Sequence, residues 1–330
     1  MPHDPFTRRL ITVPAVALAF VVITAAAPVL AVVGLVVDIV RAVTSGKPWM
    51  SLRILAFAWT YLAGEVLALA ALGVTALLPG AAKLTLTYRL QDLWTAWNLG
   101  ALRLFFSIGL DVAGAGDAAP GPVIVLSIHA SLVDTMLPAR LIARPHRLRL
   151  RYVLKSELLV DPTLDIAGHR LPNGFIERSG DSAELAVIRD LAGGLGRGDG
   201  VLIYPEGTRF SEEKLARQAR RAIDRGGRLD ELTLSYRRVL APRPAGTLAL
   251  LESTGADVVV FAHRGLHGMA SVADIWRGGF VGSRVEVAIW RVPRGEVPND
   301  RSERVEWLFR LWAEIDEWVS GDQTTTPPSL

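Results

Sequence analysis

The chain has 330 residues, 50% of them hydrophobic and 21% charged, with 36 basic against 33 acidic side chains; mean hydropathy is +0.31 and the isoelectric point lies near 9.4. That length suits one large domain with an appendage, and the complete lack of cysteine excludes disulfide scaffolds, thiolate zinc sites and cysteine nucleophiles. Only four basic residues are lysines (Lys47, Lys83, Lys155, Lys214), so arginine, the better bidentate partner for phosphate, carries most of the positive charge.

No charged residue occurs between Arg9 and Asp38, and only Glu65 occurs between Arg53 and Lys83. Helices over about 10–37 and 53–79 are each long enough to cross a hydrocarbon core about 30 Å thick. The joining segment DIVRAVTSGKPW (38–49) carries the turn residues Ser45, Gly46 and Pro48, so residues 1–83 read as a membrane helical hairpin whose two ends share one side. A cleaved signal peptide is the competing reading of TRRL and its apolar run. The run is too long, Pro28 is misplaced for cleavage after Ala27, and a second apolar segment follows. Basic residues give only a weak orientation bias, four outside the loop (Arg8, Arg9, Lys83, Arg89) against three in or beside it (Arg41, Lys47, Arg53). Glu65 is expected to turn toward a helix partner rather than lipid.

Residues 84–106 read as an amphipathic helix rich enough in tryptophan to lie at a membrane interface. Leu90, Leu93, Trp94, Trp97, Ala101 and Leu104 recur at helical spacing, with Arg89, Asp92 and Arg103 opposite. From 107 to 319 short apolar runs alternate with helical text. Candidate strands are SIGLDVAG, PVIVLSI, LRYVL, GFIER, GVLIYPE, DVVVFA and SRVEVAIW; helices include TMLPARLIA and SAELAVIRDLAGGL. This pattern predicts an α/β domain, a largely buried sheet flanked by helices. The polar tail 320–330 is expected to be disordered.

Two motif-like stretches lead nowhere. GAGDAAPGP (114–122) precedes a strand rather than a helix, so it offers no helix N-terminus to a pyrophosphate. His263 and His267 are separated by Gly265, and Gly268 follows, so no single helix presents them to a metal. No nucleic-acid-binding module is recognisable.

The chemistry concentrates at strand ends. In SIHASLVD (127–134), His129 follows an apolar strand and Asp134 lies five residues on, close enough to fix the imidazole tautomer. Such a pair removes a proton from a hydroxyl attacking a carbonyl. Ser127 and Ser131 are the protein's own hydroxyls nearby, yet neither stands in a G-x-S-x-G turn. In VLIYPEGTRF (201–210), Glu206, Gly207, Thr208 and Arg209 form a tight turn at another strand end, where glycine admits a ligand and arginine can grip phosphate. LPNGFIERSG (171–180) similarly places Arg178 after a strand.

These residues together resemble the glycerolipid (lysophospholipid) acyltransferases, centred on the 1-acylglycerol-3-phosphate acyltransferases. IHASLVD matches that family's first motif at His129, Ser131 and Asp134; FIER matches the second through Arg178; YPEGTR (204–209) matches the third. RYVLKSEL (151–158), containing Lys155, resembles the stretch between the first two motifs. FSEEK, VLAPRPAG (239–246) and WLFRLWAEIDEW (307–318) resemble the branch of eukaryotic-type lysophosphatidic acid and lysocardiolipin acyltransferases. Ile128 replaces the usual asparagine before the histidine, and VVVFA (258–262) lacks the fourth motif's proline.

The resemblance implies that His129 is the general base, oriented by Asp134, and that the acceptor hydroxyl attacks the thioester of acyl-CoA or acyl carrier protein directly. It implies that Arg178 and Arg209 hold the acceptor's phosphate, that Ser131, Lys155, Glu206, Gly207 and Thr208 shape the substrate site, and that neither metal nor cofactor is required. The expected reaction is acylation of the sn-2 hydroxyl of 1-acylglycerol-3-phosphate at a bacterial cell membrane, with the catalytic part cytoplasmic. Other lysophospholipid acceptors (lysocardiolipin, lysophosphatidylglycerol) are the alternative within this chemistry. A membrane-attached esterase or thioesterase and a non-enzymatic scaffold are the alternatives outside it. Residues 139–155 hold six Arg/Lys and no acid, and residues 211–245 have nine basic against five acidic residues. Both stretches suit a partner that is anionic lipid or the phosphates of CoA.

Overall fold

The structure, a computed structural model, describes residues 4–177, 182–269 and 271–321. In chain order the elements are α1 (Pro5–Ser45), α2 (Ser51–Thr75), α3 (Gly80–Phe106), β1 (Gly109–Ala113), β2 (Val123–Ser127), α4 (Arg144–His146), β3 (Arg149–Lys155), α5 (Pro162–Arg170), β4 (Gly174–Ile176), α6 (Ser182–Ala192) and β5 (Asp199–Ile203). They continue with α7 (Glu212–Arg225), α8 (Arg228–Ser235), α9 (Pro244–Ser253), β6 (Asp257–Arg264), α10 (Val272–Arg277), β7 (Arg284–Val292) and α11 (Arg301–Ser320). The chain divides into two compact units, one of residues 1–109, 154–173 and 272–283, the other of 110–153, 174–271 and 284–330.

The first unit is helical. α1 and α2 are long and apolar enough to cross a membrane, and α1 carries exposed Leu18, Val21, Val29 and Val32. α1 runs eight residues past Val37 to Ser45, because nothing in DIVRAVTS breaks a helix. Gly46, left-handed at φ +61°, ends it. Asp38 therefore lies inside α1 rather than in the loop. From there its buried carboxylate accepts the N–H groups of Met50 and Ser51 (3.0 and 2.9 Å) and of Leu52 (3.0 Å), capping α2 across the hairpin. Glu65 is buried, and Trp94 of α3 donates its indole N–H to it at 2.6 Å. The packed side of α3 is Thr87, Thr95, Asn98, Leu99, Ala101, Leu102 and Phe106. Of the residues read as its apolar interfacial face, Leu93, Trp97 and Leu104 are exposed and Ala101 is buried.

α5 fastens this unit. Asp165 is fully buried and accepts two forked pairs, Arg8 at 3.0 and 2.9 Å and Arg9 at 3.2 and 3.1 Å. Burial raises the Asp165 carboxyl, but the hydrogen bonds and charges of the two guanidiniums outweigh it and hold the carboxyl below the usual range. Asp165→Ala would remove the carboxylate that Arg8, 4% exposed, and Arg9 both engage. The expected cost is about 3–5 kcal/mol, seen as a lower melting temperature in detergent micelles; an unchanged melting curve would show the cluster to be dispensable.

The second unit holds the mixed sheet, in the order β1-β7-β6-β2-β5-β3-β4. All seven expected strands form. β2 is central, parallel to β5 on one side and β6 on the other, and every residue of it is buried. That placement explains an unbroken apolar run in place of alternation. β7 pairs antiparallel with β6. α6, α9 and α11 contribute Ile188, Leu250, Leu308, Trp312 and Ile315 to the core on the sheet. TMLPARLIA, expected as one helix, is helical without a break, from a 3₁₀ turn at Asp134–Met136 through 137–138 and a π segment at Ala139–Ala143 into α4. Pro138 removes an N–H from the ladder between the turn and the π segment.

Candidate active site

His129 lies two residues beyond β2, at the carboxyl end of a parallel strand, where open α/β sheets expose their ligand sites. Its Nδ1 is 3.1 and 3.2 Å from the two carboxylate oxygens of Asp134. Asp134 is fully buried, and its Oδ2 also accepts the backbone N–H of Ala130 (2.7 Å) and of Ser131 (2.8 Å). Burial raises this carboxyl, yet the hydrogen bond from His129 and the nearby imidazole of His263 prevail and hold it well below the usual range. An ionised Asp134 selects the tautomer with the proton on Nδ1, which leaves Nε2 of His129 as the basic nitrogen.

Ser131 is also fully buried, and its hydroxyl accepts the N–H groups of Val133 (3.2 Å) and Asp134 (3.0 Å). It builds the turn that holds Asp134 under His129. Ser127 is likewise buried, its hydroxyl on the carbonyl of Ile128 at 3.1 Å. Neither serine is placed to serve as a nucleophile.

β5, parallel to β2, delivers the second cluster. Glu206 is 1% exposed, and its two oxygens accept the N–H of His129 (3.0 Å) and of Leu240 (3.1 Å). Its carboxylate thus ties the His129 turn to the VLAPR segment. Phe210 N–H donates to the His129 carbonyl at 2.7 Å, and the Tyr204 ring lies 4.8 Å from the imidazole, centroid to centroid. Gly207 is left-handed at φ +67°, and a Cβ there would come within 3.1 Å of Arg243 Cδ, so glycine serves both the turn and the close approach of Arg243. Lys214 donates to the Thr208 hydroxyl (2.9 Å) and the Arg209 carbonyl (2.8 Å), fixing the end of the turn. Arg209 is half-buried.

The VLAPR segment is itself pinned from α11. Asp316, 2% exposed, accepts the N–H groups of Arg237 (2.9 Å), Arg238 (2.6 Å) and Val239 (2.9 Å). Arg243 N–H then donates to the Pro205 carbonyl at 2.8 Å. Lys155 closes β3 in the first unit, its ammonium 2.5 Å from Glu157. Arg178 lies outside the described residues. Sequence reading assigned no role to Lys214, Arg243, Asp316 or His263. The first three stand in segments that already carried the resemblance, and His263 was weighed only as a metal ligand.

Burial pushes the Glu206 carboxyl up to about 8; the two backbone N–H groups oppose the rise, and repulsion from Asp134 and Asp316 adds to it. Because the folded value lies above the unfolded one, the fold gains from the proton. That gain is complete below the ordinary carboxylate range and is lost as pH rises through about 8. Glu206→Gln abolishes this titration and sets an amide N–H₂ against one of the backbone N–H groups. Its destabilisation relative to the parent, about 1–3 kcal/mol for the unpaired group, is expected to be largest near pH 5 and to shrink toward pH 9. A pH-independent difference between the two melting curves would refute the assignment.

The chain as a whole can now be set beside known proteins. Residues 110–261 match the family model described as Acyltransferase. The lyso-ornithine lipid O-acyltransferase of Pseudomonas aeruginosa is 31% identical over 166 residues, which are 49% of this chain and 59% of that protein. The match therefore spans less than two thirds of the relative's length. The crystal structure of the 1-acyl-sn-glycerophosphate (LPA) acyltransferase PlsC from Thermotoga maritima covers 83% of this chain and 98% of its own, with a TM-score of 0.54 and 16% identity, a likeness of fold. Residues 110–261, the part of the chain that carries His129 and Asp134, are thus similar in sequence to known acyltransferases.

Proposed function

We propose that the protein transfers a fatty acyl chain from acyl-CoA or acyl carrier protein to the sn-2 hydroxyl of 1-acylglycerol-3-phosphate, forming phosphatidic acid. The observation that carries the reading is the engagement of His129 Nδ1 by a fully buried Asp134. Nε2 takes the acceptor's hydroxyl proton as the oxygen attacks the thioester carbonyl. The C–S bond breaks, and the departing sulfur takes the proton from the imidazolium. No acyl-enzyme intervenes, in keeping with the structural use of Ser127 and Ser131. Arg209, with Arg178, binds the acceptor's phosphate. Gly207 and Thr208 shape the same pocket, and Glu206 and Ser131 hold its frame.

α1 and α2 anchor the enzyme in the bilayer, with the catalytic domain on the cytoplasmic side, where thioester donors are made. A second acceptor is favoured by a specific observation, since the Pseudomonas relative is named for lyso-ornithine lipid. Purified protein in micelles, given labelled acyl-CoA and a panel of lysophosphatidic acid, lysophosphatidylglycerol, lysocardiolipin and lyso-ornithine lipid, should form phosphatidic acid fastest. Preferential product from lyso-ornithine lipid would move the assignment to that acceptor. Release of free fatty acid without acylated lipid would make the protein a thioesterase.

A further inference from the structure

His263 sits on β6, the strand that flanks β2 on the side away from β5. Ser127 pairs with Phe261 in the parallel register, and beyond that pair the imidazoles of His129 and His263 both approach Asp134, at 3.1 and 3.6 Å. The imidazole of His263 is fully buried, and its Nε2 is 3.6 Å from Asp134 Oδ2, just beyond hydrogen-bond length. Among the described residues neither of its ring nitrogens has a hydrogen-bond partner.

An imidazole always bears at least one N–H, and leaving that donor unpaired in a core is costly. Among the described residues the carboxylate recorded within 4 Å of it is that of Asp134. Facing it selects the tautomer with the proton on Nε2. Nothing about packing asks for a histidine here: its strand neighbours Val258, Val259, Val260 and Phe261 are buried apolar residues, and an apolar side chain would fill the position without the desolvation cost.

We infer that His263 is a positioning residue for the His129–Asp134 pair, an inference that rests on the acyl-transfer reading above. Its Nε2–H closes on Asp134 Oδ2 as the site tightens around substrate. Apo sites commonly show such bonds long, and they shorten in the working complex. Oδ2 already receives Ala130 and Ser131 N–H, and His129 Nδ1 straddles both oxygens. A further donor from the opposite side stops the carboxylate from rotating away from His129 and keeps it ionised. His129 then holds the Nδ1–H tautomer throughout the cycle. His263 touches neither acceptor nor donor, so its effect belongs to kcat and leaves binding alone.

The test compares the parent, His129→Ala, His263→Leu and His263→Gln in micelles, with kcat, acceptor KM and melting temperature measured for each. His263→Leu removes the donor at similar volume and is expected to lower kcat roughly tenfold or more, with KM within about twofold of the parent. His263→Gln places an amide N–H near the former Nε2 and is expected to recover most of the rate at a similar melting temperature. If His263→Leu collapses the fold, His263→Asn, whose amide is too short to reach Oδ2, takes its place and must be slow where Gln is fast. Full kcat without the donor, a Gln variant as slow as Leu, or a loss confined to KM would each overturn the inference. An inactive parent would overturn the functional reading and this inference with it. An active parent with a dead His129→Ala and an unimpaired His263→Leu would overturn this inference alone.

Discussion

Replacing His129 by alanine is expected to lower turnover by about 10²–10⁴-fold, the range a general base supplies, while acceptor KM stays near its parent value. The split follows from geometry. The imidazole meets the acceptor only at its reacting hydroxyl, whereas binding rests on the phosphate grip and the acyl chain. Asp134→Asn should approach the same loss, because an amide can present its N–H to Nδ1 and force the proton onto Nε2, the wrong tautomer for a base. Ala130 and Ser131 N–H both go to Oδ2, so the asparagine keeps its amide oxygen there and turns its N–H₂ to Nδ1 from the Oδ1 position, the orientation that enforces the wrong tautomer. If His129→Ala kept more than about a tenth of parental turnover, the general-base role would be untenable.

The sheet and the His129 cluster were legible in the sequence for one physical reason: each site residue closely follows an apolar strand. VIVLS and VLIY are buried runs, and a histidine or a glutamate within two residues of the end of such a run has no packing explanation. What the sequence hid is long-range. Asp38 reads as the first residue of a polar linker, and only the hairpin geometry turns it into the cap of α2, twelve residues away. Asp165 reads as an ordinary helical acid until α1 brings Arg8 to it across 157 residues. Glu206 sits within a motif that resembles a substrate-binding turn, while its oxygens are spent on His129 and Leu240 backbone. A carboxylate's partner set is a property of the fold, and spacing along the chain does not encode it. The same holds for His263. Its distance from His267 invites a metal reading that glycine dispels, and its relation to Asp134 appears only when β6 is laid beside β2.

Arg209→Ala is expected to lower kcat/KM for lysophosphatidic acid by about 10–150-fold, the equivalent of a charged hydrogen bond of about 1.5–3 kcal/mol. The turn is built to present a cation. Gly207 takes the left-handed conformation that lets the chain reverse. Lys214 clamps Thr208 and the Arg209 carbonyl from α7, and Arg243 packs against Gly207 from the VLAPR segment. Lys214 and Arg243 thus reach the turn that carries Arg209, a basic setting that suits a phosphate dianion. Arg209→Lys keeps the charge and loses the planar fork, so it should fall between parent and alanine. The discriminating measurement uses a second acceptor without phosphate, such as monoacylglycerol. If Arg209 holds the phosphate, the alanine variant loses its efficiency with lysophosphatidic acid and little of it with monoacylglycerol, since that acceptor never engaged the guanidinium. Equal losses with both acceptors would instead make Arg209 a structural support of the turn. The phosphate grip would then pass to Arg243, whose alanine variant should show the acceptor-dependent loss in its place.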